Sequence, residues 1–356
     1  MPSAAPGSAP GSAPGGPQGS PQALWFAGRR RAELWPAEAP APGPGEVRVR
    51  ALLSAVSQGT EMLVYRGEVL EDLPLDLPTF AGDFGFPVKH GYASAGRVLD
   101  TGPGVEGLSP GDPVFAHHPH QDLFTVPADF PVRLPRDLDP LRAVFFANME
   151  TALNVVHDAH ARLGETALVF GQGVVGLLVT RLLAMSGVSV LAVEPLAGRR
   201  GLALKMGADA ALGPDEDLFD RVFGETEGRG ADVAVEASGS GAALAAALGC
   251  VAEEGTVVAA SWYGTKPVGL PLGGRFHRGR VGIKSSQVGR MAPELSARWD
   301  GKRRRGAVIS HLRDPSIPLE ILVSHRIPFR EAPGAYRMLD EGSDDAVQVV
   351  FDYGEG

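Results

Sequence analysis

Three glycines and an acid carry the most specific chemistry in this sequence. Residues 167–180 read Ala-Leu-Val-Phe-Gly-Gln-Gly-Val-Val-Gly-Leu-Leu-Val-Thr, an apolar strand running into a Gly-x-Gly-x-x-Gly turn and an apolar helix. A second apolar strand ends in Glu194 about 20 residues on, the spacing of a dinucleotide-binding turn. In such a turn Gly171 permits the tight bend, Gly173 lets backbone approach a pyrophosphate, and Gly176 lets helix pack on strand. Val174 and Val175 open the helix, whose N-terminal N–H groups and positive dipole end face phosphates. Glu194 would accept hydrogen bonds from a ribose diol and repel a 2′-phosphate, which favours NAD. Arg199 and Arg200 lie just beyond it and leave NADP as the other cofactor.

A second group lies in Phe115-Ala-His117-His118-Pro119-His120-Gln121, where three histidines crowd a loop after a strand. Histidine acts as an acid or base near neutral pH. His120 is read as a candidate proton donor, with His117 and His118 beside it on a substrate pocket. A metal held by these histidines with Glu61 or Glu150 is the competing reading. Glu150 follows the apolar run 144–149 and needs a partner there, as a base or a holder of a substrate hydroxyl. Ser238, Ser261, Ser286 and Gln287 each follow an expected strand of the alternating region, where open α/β sheets bind ligands. The basic run 298–305 is either a solvated helix end or a clamp for an acidic substrate group.

These residues need a scaffold. The 356-residue chain is long enough for two domains. From about residue 25 to 134, short strands alternate with turns such as Thr101-Gly-Pro-Gly and Ser109-Pro-Gly-Asp, and Glu46-Val-Arg-Val-Arg-Ala has period two. A helix is expected over 143–163. Beyond it strands at 167–170, 189–193, 232–236, 256–260 and 281–284 alternate with helices at 174–186, 198–206, 218–227 and 242–252. That alternation predicts an α/β fold: a doubly wound parallel sheet, with a mainly β second domain. The expected division is 23–142 with 291–356 in the β domain and 143–290 in the dinucleotide domain. After residue 287 the chain reads helical, then returns to strands near 324–329 and 346–351. Residues 1–22, almost all Pro, Gly, Ala and Ser, read as a disordered tail.

The net charge of −9 argues against a nucleic-acid or membrane-surface binder, so the expected partner is a small-molecule substrate. No apolar run is long enough to span a membrane. The single cysteine, Cys250, excludes an internal disulfide and a cysteine zinc cluster, and suits a cytoplasmic setting.

Several strings resemble the medium-chain dehydrogenase/reductase superfamily, the zinc-type alcohol dehydrogenase-like proteins. Ser57-Gln-Gly-Thr60-Glu61 is similar to its Cys-Gly-Thr-Asp segment, Gly91-Tyr92-Ala93-Ser-Ala-Gly96 to its Gly-His-Glu-x-x-Gly segment, and Gly111-Asp112-Pro-Val to its Gly-Asp-x-Val turn. Lys205-Met-Gly-Ala-Asp209 and Val235-Glu-Ala-Ser-Gly239 are similar to motifs of its cofactor domain. The resemblance implies a GroES-like catalytic domain, a nicotinamide cofactor and a homo-oligomer, dimer or tetramer. It also places Gln58, Tyr92 and Ala147 where the zinc branch has its metal ligands, with Thr151 against the nicotinamide. Gln, Tyr and Ala do not supply a zinc site. The implied member is therefore metal-independent and similar to the branch that includes bacteriochlorophyllide dehydrogenase. Thr60 and Tyr92 become candidate proton donors, and Gln58 lines the pocket. The expected activity is hydride transfer on a hydroxyl/carbonyl pair. The alternatives are enoyl or quinone reduction, or a non-catalytic protein whose partner binding is gated by cofactor.

Overall fold

The computed structural model describes residues 20–75, 82–215 and 217–354. The tail read over 1–22 lies outside these residues as far as residue 19. Its last residue, Gln22, already belongs to a strand and donates its backbone N–H to Asp122 Oδ1 at 3.0 Å.

The N-terminal half begins with β1 (Gln22–Gly28), β2 (Arg31–Pro36) and β3 (Glu46–Ala55), followed by α1 (Gln58–Arg66). In β3 the period-two pattern is realised: Val47, Val49 and Ala51 are buried while Arg48 and Arg50 point outward. Gly67 ends α1 in the left-handed region at φ 63°, donating its N–H to the carbonyls of Leu63 and Val64. Then come β4 (Val88–Lys89), β5 (Ser94–Thr101), β6 (Pro113–Ala116), β7 (Leu123–Pro127) and β8 (Val132–Arg133).

The helix expected over 143–163 is two helices, α2 (Pro140–Ala143), capped by Asp139, and α3 (Phe146–Ala159). Phe145 leaves helical geometry between them, and His160 in the left-handed region stops α3. The alternating stretch follows: β9 (Thr166–Phe170), α4 (Val174–Met185), β10 (Ser189–Val193), α5 (Ala197–Lys205), β11 (Ala210–Leu212), α6 (Leu218–Glu225), β12 (Ala231–Glu236), α7 (Gly241–Cys250), β13 (Val251–Ala259) and β14 (Gly282–Ser285). The six strands form one parallel sheet in the order β11-β10-β9-β12-β13-β14, the doubly wound nucleotide-binding order. β11 was not expected, because three residues are too few to show a period. The order reverses between β9 and β12, so a crevice opens where Gly171 and Ser238 leave the sheet.

The remaining elements are α8 (Gly301–Arg313), β15 (Val323–Pro328), α9 (Ala332–Glu341) and β16 (Gln348–Asp352). β16 pairs antiparallel with β3 and parallel with β15, returning the chain to the sheet ordered β15-β16-β3-β5-β6-β8. β1, β2 and β4 make a small third sheet. One apolar core runs from Phe115 and Leu53 through Phe145, Phe146 and Met149 of the α2–α3 region to Val169 and Leu178, so α3 is packed from both sides. Among the described residues no helix is long and apolar enough to cross a membrane.

Phe351 of β16 is fully buried with its ring against His120, Tyr336 and Phe329. Phe351→Ala leaves a cavity in this cluster and should cost about 3–5 kcal/mol of unfolding free energy. Denaturant unfolding of the full chain reads that loss, and a loss below about 1 kcal/mol would show that the cluster can collapse around the gap.

Candidate functional site

At the crevice the glycine turn is built by close approach. Gly171 sits at φ 85°, and a Cβ there would lie 2.7 Å from Ser238 Cα. A Cβ on Gly176 would stand 1.9 Å from the Gly171 carbonyl oxygen, so neither position accepts a side chain. Gly173, the residue before α4, faces open space, and Val174 and Val175 behind it are half-buried. Glu194 is buried, and its carboxylate accepts the N–H of Gln172 at 2.8 Å and of Leu196 at 3.1 Å. It thus holds the turn as well as lying at the end of β10. Arg199 reaches away and donates to the Ala346 carbonyl at 2.6 Å, while Arg200 donates to the carbonyls of Glu194 and Pro195.

On the other wall of the crevice a fully buried carboxylate that sequence reasoning passed over, Glu236, organises the strand ends. Its Oε1 accepts the N–H groups of Ser238 and Gly239 and the Ser238 hydroxyl, and its Oε2 accepts the Tyr263 hydroxyl. Ser261 Oγ accepts the Gly239 N–H at 2.9 Å, which ties the ends of β12 and β13 together.

The histidine run divides among three surroundings. His117 Nε2 lies 3.6 Å from Glu150 Oε2. His118 is buried, stacks on Phe124 with ring centroids 3.8 Å apart, and has Nδ1 2.9 Å from the Pro119 carbonyl. His120 has no exposed surface and cannot stand on a pocket wall. Its Nε2 meets Glu61 Oε2 at 3.0 Å and its Nδ1 meets Ser54 Oγ at 2.7 Å, which in turn bonds the Tyr353 hydroxyl. Glu61, equally buried, also accepts the Ser57 N–H at 2.7 Å and the Tyr336 hydroxyl. Burial pushes the Glu61 carboxyl up, but His120, His90 and Tyr336 outweigh it and hold the group below its usual value. Gly91 keeps this arrangement compact: at φ 108°, a Cβ there would lie 2.4 Å from His120 Cδ2.

Next to Gly91, Tyr92 is half-buried and its hydroxyl bonds Ser57 Oγ and lies 3.4 Å from Thr60 Oγ1. Burial pushes the pKa of the Tyr92 phenol above its usual value, so it keeps its proton. Gln58 donates its amide to the Val347 carbonyl at 3.0 Å. On α3, Glu150 accepts from Arg304 Nε at 3.0 Å as well as facing His117. Burial again favours the acid form, but His117 and Arg304 outweigh it and hold the Glu150 carboxyl below its usual value, so it stays a carboxylate. Thr151 bonds back to the Ala147 carbonyl. Ser286 donates to Asp158 Oδ2 at 2.7 Å, and the Gln287 carbonyl lies within 3.4 Å of Asn154 Nδ2.

The structure therefore brings Ser57, Thr60 and Tyr92 together, and His117 with Glu150, but separates His118 and His120 from them. Within the basic run, Arg304 turns inward to Glu150, whereas Arg303 lies over the Trp299 ring. The same separation leaves the histidine-held metal without a ligand set here: among the described residues no group of three or more His, Cys, Asp or Glu could hold a metal. At the positions that the resemblance assigns to zinc ligands, the Gln58 amide nitrogen is engaged by Val347, the Tyr92 hydroxyl stays protonated, and Ala147 offers no donor, so this set does not fit zinc. Ser57, Asn154, Asp158, Glu236 and Arg304 were not singled out in the sequence. Their only local signal is the spacing of Glu150, Asn154 and Asp158, which puts them on one helix face.

The zinc-binding dehydrogenase family matches residues 174–300. D-guloside 3-dehydrogenase of Escherichia coli K12 is 26% identical over 323 residues, covering 85% of this chain and 92% of that protein. L-threonine 3-dehydrogenase of Pyrococcus furiosus is 30% identical over 258 residues, covering 64% and 71%. Among solved structures, one assigned to a zinc-binding dehydrogenase of Sinorhizobium meliloti 1021, bound to NADP, shares the fold with a TM-score of 0.77 at 20% identity, over 94% of this chain and all of that one.

Burial drives the His118 ring down to about 3 and His90 down to about 4. In the unfolded chain both titrate near 6.5. Below that value the unfolded state binds more protons, so stability falls as pH drops from about 6.5 towards the folded values, by at most about 1.4 kcal/mol per pH unit for each ring. Melting curves between pH 7 and pH 5 should show this fall, and His118→Leu should flatten part of it. An unchanged slope in that variant would mean His118 is not buried neutral.

Proposed function

The chain belongs to the medium-chain dehydrogenase/reductase superfamily, the zinc-type alcohol dehydrogenase-like proteins, and from that premise we propose an oxidoreductase that transfers hydride between a nicotinamide cofactor and a hydroxyl/carbonyl substrate without zinc. The observation that carries the zinc-free part is the hydroxyl cluster of Ser57, Thr60 and Tyr92, in which Tyr92 occupies one of the positions where the family's zinc branch has a metal ligand. When bound, the cofactor supplies the hydride donor or acceptor. The residues that would hold it are the Gly171–Gly176 turn, Ser238, Ser261, Ser286, Gln287 and Thr151.

Carbonyl reduction places negative charge on the substrate oxygen, and preorganised donors lower the barrier for it. Tyr92, kept protonated by burial and steadied by Ser57 and Thr60, is the donor in this reading. Glu150 stays anionic beside His117 and Arg304, and it would orient a second substrate hydroxyl. Glu61 and His120, fully buried, act from behind by fixing the start of α1. Glu194 at the ribose position disfavours a 2′-phosphate, and Arg199 is occupied by Ala346, which together support NAD over NADP. The catalytic domain in this reading is 23–142 with 291–356, and 143–290 is the dinucleotide domain. A cytoplasmic homo-oligomer, dimer or tetramer, completes it. β14 is an outer strand of the six-stranded sheet with Ile283 exposed.

Titration with NADH and NADPH by fluorescence, followed by turnover on secondary alcohols, ketones, enones and quinones, tests the reading. NADH should bind more tightly, alcohols should be oxidised, and exhaustive chelation should leave the rate unchanged. Tyr92→Phe should lower kcat by about 10²–10⁴-fold with little change in KM, the range for losing a proton-transfer group. Turnover confined to enones or quinones would favour the reductase alternative, and tight cofactor binding with no turnover the non-catalytic one. One tightly held zinc per chain would overturn the metal-free mechanism.

A further inference from the structure

The basic run yields one guanidinium with an unusual set of attachments. Arg304, on the first turn of α8, has a side chain only 12% exposed. Its Nε donates to Glu150 Oε1 at 3.0 Å, and its Nη1 donates to Asn154 Oδ1 at 3.2 Å and to the Val288 carbonyl at 2.7 Å. Asn154 is one turn after Glu150 on the same face of α3, and Asp158 is one turn further. Asn154 Nδ2 donates to Asp158 Oδ2 at 3.0 Å and to Ser286 Oγ at 3.2 Å, and Lys284 Nζ lies 2.9 Å from Asp158 Oδ1. The face thus carries two carboxylates, each paired with a cation from another element: Glu150 with Arg304, Asp158 with Lys284. At one end is the carboxylate assigned to the substrate, and at the other the segment that follows β14.

We propose that Arg304 is a positioning residue that couples Glu150 to the Ser286–Val288 segment at the nicotinamide end of the dinucleotide site. The planar guanidinium presents donors on separate nitrogens in a fixed fork, so Nε serves Glu150 while Nη1 serves Asn154 and the Val288 carbonyl, a geometry that the single nitrogen of an ammonium does not offer. A shift of residues 286–288 on cofactor binding moves the same guanidinium that holds Glu150, and a change at Glu150 is felt by the segment. Reciprocity of the two affinities follows from linkage. The coupling rests on the functional reading above.

The test uses the full chain, with NADH as probe. Wild type, Arg304→Gln, Arg304→Lys, Glu150→Gln, the double variant Arg304→Gln/Glu150→Gln and Asp158→Asn are compared by melting temperature, NADH fluorescence titration and, with NAD+ as hydride acceptor, turnover against alcohol concentration. Arg304→Gln should weaken NADH by roughly 5- to 10-fold and raise KM for the alcohol, with losses that neighbouring residues commonly show. Glu150→Gln alone should weaken NADH several-fold, yet add little in the Arg304→Gln background. Asp158→Asn, which loosens Ser286 and Asn154, should weaken NADH and raise KM for the alcohol less than Arg304→Gln does. Arg304→Lys keeps the charge and loses the fork, so it should show the same NADH loss with a melting temperature close to wild type. It carries the test should Arg304→Gln fail to fold. Additive effects of Glu150→Gln and Arg304→Gln, or unchanged NADH affinity in Arg304→Lys, overturn the coupling. Failure of wild type to bind NADH at all sinks the functional reading instead.

Discussion

Glu61 is fully buried, and an ionised carboxylate in that position must have its lone pairs directed at donors or it destabilises everything packed around it. Its donors come from three separate parts of the chain: the Ser57 N–H at the start of α1, the His120 ring beyond β6, and the Tyr336 hydroxyl on α9. Satisfying one group therefore fixes where α1 begins relative to the sheet. That start carries Ser57, Gln58 and Thr60. The tyrosine beside them is placed by the same cluster, because only glycine at position 91 leaves room for the His120 ring. A histidine with no exposed surface thus decides where the hydroxyl groups stand.

The dinucleotide half obeys a different constraint, contact without side chains. Gly171 presses on Ser238, Gly176 presses on the Gly171 carbonyl, and the two strand ends at the switch point cannot separate. Buried acids then lock each wall. Glu194 holds the glycine turn through Gln172, and Glu236 holds Ser238, Gly239 and Tyr263. Both are acids at the ends of apolar strands, and both satisfy backbone N–H groups that would otherwise be orphaned. The crevice keeps its shape because the polar atoms at its rim are already spoken for.

What could be read in the residues and what could not separate along this line. The glycine turn and the strand–helix alternation are local or nearly local patterns, and they were visible, although β11 was too short to register. The hydroxyl cluster was reachable through Tyr92 and Thr60 by resemblance, but Ser57, which bonds Tyr92, leaves no signature of its own. The histidines show the limit most clearly. Three in four positions suggested one site, but successive residues of an extended chain point to opposite sides. His117 went to Glu150, His118 onto Phe124 and His120 into the interior. Arg304 sat in a run of like residues with nothing to distinguish it, since its partners lie on α3, far away in sequence.

β16 lies between β15 and β3, and Gln348 on it bonds the Val56 carbonyl and Asn148, while the residue before it receives the Gln58 amide. During synthesis every strand of the six-stranded sheet leaves the ribosome before β16 does. The dinucleotide half can close on contacts made within its own stretch, whereas the Leu53–Ala55 end of β3, which leads into the hydroxyl cluster, waits for β16 although the rest of β3 is already paired with β5 and β7. The nascent protein therefore has a nucleotide-binding half before it has a place for anything to react, and the order of assembly itself postpones chemistry until the chain has come back.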